Sequence, residues 1–331
     1  MLKKMFLASA AVLGLAVASA PSANATVWGG TLYYTYFSGT PNVSKVTYSY
    51  NDVTQSFSLG SATAIGTANG ADGIIFAPNG NLLIGGQGAG HVTEMTTGGT
   101  IVNAAPPGST GQNQSSYHLT LDPSGTKVYT SDFGGPLDTM PLPLAQGTTT
   151  AISGGDNGVT QIAFGDAGSV FYVDGSPNGN GNVGTINLTT GVTTRLYSSV
   201  QPAHGMVYDP FTDLITMFGA GHTGTMSALD GSNLLTSSTA FACDFDQGAV
   251  DGHGHALVAG CNSITFLDYS ISGDITHPDY FTTIGGFANI DDVAPLAGPG
   301  SNPNPGVPEP ATLLLLGVGL AGVRLFRRRK V

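Results

Sequence analysis

Short apolar runs separated by glycine-, proline- and asparagine-rich turns follow one another along most of this sequence. Residues 72–85 are one example: an apolar run, a Pro-Asn-Gly turn and a second apolar run, which predict two β-strands joined by a tight turn. The pattern returns four more times, with steps of 45, 43, 44 and 43 residues between the equivalent positions Phe76, Leu121, Phe164, Tyr208 and Asp251. A period of this length is typical of propeller blades, each of which is a four-stranded sheet.

The two ends of the repeat array are incomplete and complement each other. Predicted strands at residues 32–37, 43–50 and 56–59 open the array without the strand that begins every other unit. That strand appears at residues 290–296, where Pro295 lies 44 residues beyond the last marker position. The sequence therefore predicts an all-β, six-bladed β-propeller at residues 26–297, closed by a C-terminal strand that joins the N-terminal blade and removes exposed sheet edges. A β-sandwich is the alternative, but it gives no reason for a regular step.

The composition agrees with an exported, β-rich protein. Among 331 residues, 49 are glycine and 19 are proline, while only 9% are charged, which suits tight turns better than helices. Residues 1–25 predict a cleaved signal peptide, because a Lys-Lys pair precedes an apolar stretch that ends in the small-residue triplet 23–25. The two cysteines, Cys243 and Cys261, fit a disulfide in the oxidising compartment to which such a peptide leads.

The charge of the body of the chain excludes one class of partner. Between residues 26 and 306, 20 acidic side chains stand against the basic Lys45, Lys127 and Arg195, which gives a formal charge of −17. Such a surface repels phosphate backbones, so nucleic acid is not an expected partner. Divalent cations, exopolysaccharide or a surface protein fit this charge better, although acidity also serves simply to keep an exported protein soluble.

The C-terminal end carries a three-part pattern after a Gly/Pro/Ser/Asn linker at residues 298–306. The first part is the motif Val307, Pro308, Glu309 and Pro310. An apolar run at residues 311–323 follows, and a cluster of arginines completes the pattern. The run predicts a hydrophobic helix of about 20 Å, which is short of a hydrocarbon core of about 30 Å, so it is expected to hold the protein at the inner membrane only transiently.

This order of parts resembles the PEP-CTERM sorting signal over residues 306–331. The resemblance implies an exosortase-type sorting enzyme as a partner, export across the inner membrane, and a cell-surface or extracellular-matrix destination after processing of the segment 307–331. The repeats resemble NHL, YVTN and gluconolactonase-like propellers by pattern only, without family-specific catalytic residues. Two functions stay open: a non-enzymatic binding or scaffold role at the surface, and a metal-dependent lyase or lactonase.

Polar residues stand where each predicted blade begins. Because the first strand of each blade lines the central channel of a propeller, these residues are expected to form an exposed rim around one opening. They are Asp72, His118, Gln161, His204, Gln247 and Asp291. Two loops with the sequence Gly-Ala-Gly-His add His91 and His222 to the same face. Histidine and aspartate together bind a divalent metal or act as general acid and base, so this rim is the predicted ligand site.

A second metal hypothesis concerns the loop at residues 174–179. Asp174, Ser176 and Asn178 have the spacing of the first half of a calcium loop, so a divalent cation such as calcium is the cofactor that this loop would accept. The twelfth position is Thr185, which lacks the bidentate carboxylate of such loops. A simple Asn/Gly turn is therefore the competing interpretation.

Overall fold

The computed structural model describes residues 27–87, 92–104, 115–131, 135–144, 150–152 and 158–303. Within these ranges the chain forms 25 strands, a 3-10 turn at Asp166–Gly168 and no α-helix. The strands make six antiparallel sheets whose inner strands contact one another in cyclic order, so the prediction of an all-β, six-bladed propeller is confirmed. No helix in the described part is long and apolar enough to cross a membrane. The signal peptide 1–25, the motif 307–310 and the C-terminal helix lie outside the described residues.

Five blades consist of four consecutive strands each, and the chain runs from the inner strand outward. Blade 2 contains β5 (Ala71–Phe76), β6 (Leu82–Gly86), β7 (Thr93–Met95) and β8 (Ile101–Ala104). Blade 3 contains β9 (Leu119–Leu121), β10 (Lys127–Thr130), β11 (Asp138–Pro141) and β12 (Thr150–Ala151). Blade 4 contains β13 (Gln161–Phe164), β14 (Val170–Val173), β15 (Gly181–Ile186) and β16 (Thr193–Val200). Blade 5 contains β17 (Gly205–Asp209), β18 (Leu214–Gly219), β19 (His222–Ser227) and β20 (Leu235–Thr236). Blade 6 contains β21 (Gly248–Val250), β22 (His255–Gly260), β23 (Ser263–Asp268) and β24 (Tyr280–Gly285).

Blade 1 combines strands from both ends of the described chain. Its members are β25 (Ile290–Val293), β1 (Val27–Tyr36), β2 (Val43–Asn51), β3 (Ser56–Leu59) and β4 (Thr63–Gly66). The inner strand β25 pairs antiparallel with β1, with Tyr34 opposite Val293 and Tyr36 opposite Ile290. Both β3 and β4 pair with β2, each along a different part of its length.

Apolar side chains pack mainly between neighbouring blades. One cluster, for example, joins Ile75 and Leu83 of blade 2 to Leu119 and Val128 of blade 3. Five similar clusters fill the other five gaps between blades. Because both faces of the inner strands are covered by neighbours, apolar residues occur at consecutive positions there, and the polar residues that stand before or at the start of these strands are held on a rigid frame.

Candidate functional site

Glycines allow the inner strands to approach one another closely near the axis. A Cβ atom on Gly73 would lie 2.2 Å from the carbonyl oxygen of Tyr117, and one on Gly205 would lie 2.6 Å from that of Asp246. Both distances are too short for any residue but glycine. The side chains at the preceding positions, Asp72 and His204, are therefore brought to the point where the blades converge.

Three side-chain atoms from three blades converge at the axis. His118 stands just before β9, His204 just before β17, and Asp246 two residues before β21. The Nε2 atoms of the two histidines are 3.0 Å apart, and Asp246 Oδ1 lies 2.7 Å from His204 Nε2 and 3.6 Å from His118 Nε2. Ligand atoms around a tetrahedral zinc ion are about 3.4 Å apart. One side of this triangle is close to that spacing and the other two are shorter, at hydrogen-bond length, so the three atoms are near enough to one another to share one metal ion.

The second ring nitrogen of each histidine has its own acceptor. His118 Nδ1 lies 3.0 Å from Asp292 Oδ2, and His204 Nδ1 lies 2.7 Å from the carbonyl oxygen of Gly175. A backbone carbonyl can only accept, so His204 carries hydrogen on Nδ1, and in the neutral ring its Nε2 presents a lone pair. Metal-binding histidines show this same arrangement, in which the outer nitrogen donates to a carboxylate or a backbone oxygen.

Three further carboxylates surround this triangle and are buried. Gln87 donates a hydrogen bond from Nε2 to Asp72 Oδ2. Burial, followed by repulsion from Asp292, raises the pKa of Asp72 well above its usual range. Burial and then the charge of Asp72 do the same to the pKa of Asp291. Among the described residues, Asp291 Oδ2 and Asp292 Oδ1 have no hydrogen-bond partner. This concentration of negative charge is one that a bound cation would relieve.

The pKa values of the side chains in the triangle depend strongly on their charged neighbours. Burial acts to lower the pKa of His118, but the carboxylates of Asp292, Asp246 and Asp72 outweigh it and raise this pKa to about 10. Burial acts to raise the pKa of Asp246, yet the neighbouring His204 and His118 hold it down at about 2. Without a cation, the surrounding carboxylates therefore favour the protonated form of His118.

The structure brings four of the predicted rim residues together, but the prediction that the rim is exposed is wrong. Asp72, His118, His204 and Asp291 are all buried. The reason is that the inner strands converge so closely that the polar side chains fill the channel instead of surrounding an opening. The carboxylate of Asp246 is the most accessible part of the triangle, with 18% of its side chain exposed.

The other predicted rim residues lie outside this cluster. Gln161 and Gln247 line a cavity on the other side of the polar cluster along the channel. His222 is buried, with its Nδ1 3.0 Å from the carbonyl oxygen of Ser237. His91 lies outside the described residues.

Sequence reasoning missed Asp246 and Asp292. Each is the immediate neighbour of a residue that was predicted, Gln247 and Asp291 respectively, so the strands were located correctly and the side chain that faces the histidines was not. The Asp246-Gln247 and Asp291-Asp292 doublets, which overlap at the equivalent positions Gln247 and Asp291, were the available signal, because two adjacent polar residues at the start of an inner strand offer one side chain to each side.

The loop that was considered for calcium has its carboxylate engaged within the protein. Asp174 accepts hydrogen bonds from the backbone nitrogen of Asn182 at 2.5 Å and from its side-chain Nδ2 at 2.8 Å. Gly179 N donates to the carbonyl oxygen of Ser176 at 3.1 Å, which is a turn contact. These contacts favour the turn interpretation, and calcium binding by Asp174, Ser176 and Asn178 stays a prediction.

The two cysteines are bonded to each other. Cys243 and Cys261 have Cα atoms 5.8 Å apart. Cys243 lies in the loop between β20, which ends at Thr236, and β21. Cys261 directly follows β22, so the bond ties this loop to blade 6.

Comparison with known proteins identifies the motif in the tail. A family model of the PEP-CTERM protein-sorting motif matches residues 306–330. No curated protein matches the chain. Among solved structures, a gluconolactonase from Xanthomonas campestris has a TM-score of 0.48 and 9% identity, covering 72% of this chain and 87% of that chain. An aldose sugar dehydrogenase from Streptomyces coelicolor, in its PQQ-bound form, has a TM-score of 0.49 and 14% identity, with 70% and 86% covered. A protein of unknown function from Bacteroides thetaiotaomicron has a TM-score of 0.48 and 14% identity, with 82% and 84% covered.

With identities of 14% or less and TM-scores below 0.5, these three structures do not indicate a function for this chain. The sorting motif does indicate how the protein is delivered. It is a motif recognised by exosortase, and it indicates export with membrane-linked sorting toward the extracellular surface.

Proposed function

We propose that this chain is an exported, metal-binding propeller in which His118, His204 and Asp246 hold a divalent transition-metal cation that takes an oxygen atom of a small ligand. The single observation that carries this proposal is the convergence of three ligand atoms from three blades, each imidazole with its outer nitrogen already engaged. Two lone pairs and a carboxylate oxygen directed at one point repel one another unless a cation or a proton lies between them.

The donor set favours a zinc-like cation over calcium. Calcium takes six to eight oxygen ligands, whereas imidazole nitrogen suits zinc and its transition-metal neighbours. Three protein ligands leave a fourth tetrahedral position, as in catalytic zinc sites, where a bound water or ligand oxygen is polarised. The partial exposure of Asp246 supports access from its side of the cluster.

A binding role at the cell surface is the first form of this function. The acidic body, with its formal charge of −17, favours neutral, oxygen-rich partners over anionic ones. A hydroxyl group of exopolysaccharide or of a surface protein has the chemistry that the open position accepts. The site is buried, so the ligand is expected to enter with one small group and not with a broad surface.

Hydrolysis of a small ester or lactone is the second form, and Asp291 favours it. This carboxyl group is buried beside Asp246, its pKa is raised well above the usual range, and its Oδ2 has no partner among the described residues. A carboxyl group near a metal with a shifted pKa is suited to move a proton to or from a reacting water. The metal, when bound, would supply an activated water.

Elemental analysis of the purified full-length protein tests the metal. After incubation with Zn²⁺ and desalting, we expect about one cation per chain, and loss of that cation in His204→Ala and in the isosteric Asp246→Asn. His277→Ala is the matched control, because the His277 side chain is 68% exposed and pairs with Asp274, which is not part of the triangle. Wild-type protein without bound metal, or equal metal in all four proteins, would contradict the proposal.

The two forms of the function separate in an activity assay. We expect an enzyme to hydrolyse p-nitrophenyl acetate or a γ-lactone only when metal-loaded, and to lose this activity in Asp291→Asn while keeping its cation. A protein that holds the cation but shows no turnover above the metal-stripped baseline has the binding role.

A further inference from the structure

The turn between β22 and β23 contacts two separate segments that lead to the channel axis. It consists of Cys261 and Asn262, and Gly260 pairs with Ser263 across it. Both turn residues have positive φ, 53° and 59°, which is the geometry of a two-residue hairpin turn that matches the strand twist. Asparagine tolerates this conformation, whereas cysteine adopts it at a cost in free energy. We call this pair the blade-6 turn.

The first residue of the blade-6 turn is covalently linked to the segment that carries Asp246. The disulfide joins Cys261 to Cys243, which precedes Asp246 by three residues. In addition, Asp246 N donates to the carbonyl oxygen of Ala259 at 3.0 Å, two residues before the turn. The position of Asp246 is therefore set from blade 6.

The second residue of the turn holds the segment that leads to Asp291 and Asp292. Asn262 accepts two hydrogen bonds from this segment. Phe287 N donates to its carbonyl oxygen at 3.0 Å, and Asn289 N donates to its side-chain Oδ1 at 2.6 Å. Because β25 begins at the next residue, the turn fixes the chain directly before both carboxylates.

Asn289 is held from both sides of the seam where blade 6 meets blade 1. Its carbonyl oxygen accepts a hydrogen bond at 2.8 Å from Phe37 N, directly after β1. Three residues further on, Asp292 contacts His118 at 3.0 Å between Oδ2 and Nδ1. The blade-6 turn is thus linked to Asp246 on one side and, through Asp292, to His118 on the other.

We propose that the blade-6 turn positions the triangle: Asn262 keeps Asp292 against His118, and Cys261 keeps Asp246 within reach of both histidines. Neither turn residue belongs to the triangle, so both are positioning residues. The expected effect on metal affinity rests on the proposed function, whereas the links themselves do not. The positive φ of Cys261 is accounted for by its bond to Cys243.

Asn262→Gly is the first test, because glycine keeps the positive φ of the turn and removes only the side-chain acceptor. The zinc affinity of the full-length protein should fall about tenfold, the lower end for a residue that acts on a metal ligand from outside. Asn262→Asp keeps an acceptor oxygen and should retain the affinity of the parent. Asn233→Gly is the matched control, because Asn233 has a φ of 58° in a turn of blade 5 and its side chain contacts Ser232.

Bound Co²⁺ separates positioning from a simple loss of stability. Its visible absorption depends on the geometry of its ligands, so a displaced His118 changes the spectrum. A less stable protein with an intact triangle lowers only the amount of folded protein. We expect an altered cobalt spectrum in Asn262→Gly and the parental spectrum in Asn262→Asp and Asn233→Gly. Parental affinity and a parental spectrum in folded Asn262→Gly would overturn the role of Asn262.

Amide hydrogen exchange of the metal-free protein, measured by mass spectrometry, tests the same link without a cation. Asn262→Gly should speed exchange in residues 287–292 about fivefold, which corresponds to one hydrogen bond of about 1 kcal/mol. Residues 71–86 of blade 2 serve as the internal reference and should exchange as in the parent. Equal acceleration in both segments would overturn a selective role for Asn262.

The double variant Cys243→Ala with Cys261→Gly tests the other link and again keeps the positive φ of the turn. Exchange should become faster in residues 244–247 than in 287–292, which is the reverse of the Asn262→Gly pattern. Zinc affinity should again fall about tenfold. An unchanged exchange rate in residues 244–247 would overturn the role of Cys261.

Failure of this proposal is distinguishable from failure of the metal proposal. If the parent holds no zinc, the metal proposal fails, and the two exchange patterns alone support or overturn positioning by the turn. If the parent holds zinc and both variants bind it as tightly as the parent does, the blade-6 turn does not position the triangle.

Discussion

His204 Nδ1 lies 2.7 Å from the carbonyl oxygen of Gly175, a residue of the neighbouring blade. The same glycine donates its backbone N–H to the carbonyl oxygen of Ala203 at 2.7 Å, so the acceptor is fixed relative to the histidine that it orients. Because the acceptor is a backbone atom, it holds the imidazole in one tautomer at any pH at which the ring is neutral. The packing of blade 4 on blade 5 thus orients His204 within the triangle.

Asp292→Asn tests the orientation of the other histidine. Asp292 Oδ2 lies 3.0 Å from His118 Nδ1 and does not belong to the triangle itself. The amide keeps the shape of the carboxylate but weakens the hold on the ring and its basicity, so zinc affinity should fall about 10- to 100-fold with the stoichiometry unchanged. Competition with a chromophoric chelator measures this.

A control variant makes that result specific. Asp279→Asn changes a carboxylate that accepts bonds from the exposed Ile271 and Ser272 backbone, and its zinc affinity should match that of the parent. Unchanged affinity in Asp292→Asn would show that this carboxylate does not position His118.

Metal affinity should depend on pH in a defined direction. In the metal-free protein, burial acts to lower the pKa of His118, but the surrounding carboxylates raise it to about 10. Between pH 6 and 8 a cation must therefore displace one proton from this ring. The apparent affinity should rise about tenfold for each pH unit in this window, and binding should release about one proton.

Isothermal titration in buffers of different ionisation enthalpy counts that proton. The His277→Ala variant should give the same slope as the parent. An affinity that is constant from pH 6 to pH 8 would mean that His118 is already neutral without metal, or that it is not a ligand.

The bond between Cys243 and Cys261 should stabilise the loop that leads to Asp246. Its two cysteines are 18 residues apart in sequence, and closing a loop of this size contributes about 3 kcal/mol to the free energy of unfolding. The double variant Cys243→Ser with Cys261→Ser should unfold at correspondingly lower urea concentration. Two free thiols titrated in the unfolded, non-reduced parent would refute the bond.

The sorting motif at residues 306–330 should be a processing signal and not a lasting anchor. An apolar run of about 20 Å is too short to hold the protein firmly in a hydrocarbon core of about 30 Å. In its own host, the mature surface protein should have an intact mass that lacks the segment after about Pro308. In a host without the sorting enzyme the segment should remain. A full arginine-rich end on the mature surface protein would exclude processing.

The sequence by itself determined the number of blades. The step between Phe76 and Leu121 and its repeats could be read without any structure, because each blade must supply one apolar inner strand of the same kind, and the packing between blades imposes the same pattern six times. The sorting motif was legible for a related reason, since it is a contiguous segment whose order of parts carries the information.

Only the tertiary structure decided which side chains form the triangle. His118, His204 and Asp246 are 86 and 42 residues apart along the chain, so no local pattern links them. At the start of an inner strand, neighbouring residues point to opposite sides, and the twist and the close approach at Gly205 decide whether Asp246 or Gln247 faces the histidines. For the same reason, the sequence could not decide whether these polar residues are buried. A polar residue at the start of a strand looks the same in the sequence whether the channel is open or filled. Its exposure depends on how closely six separate strands converge.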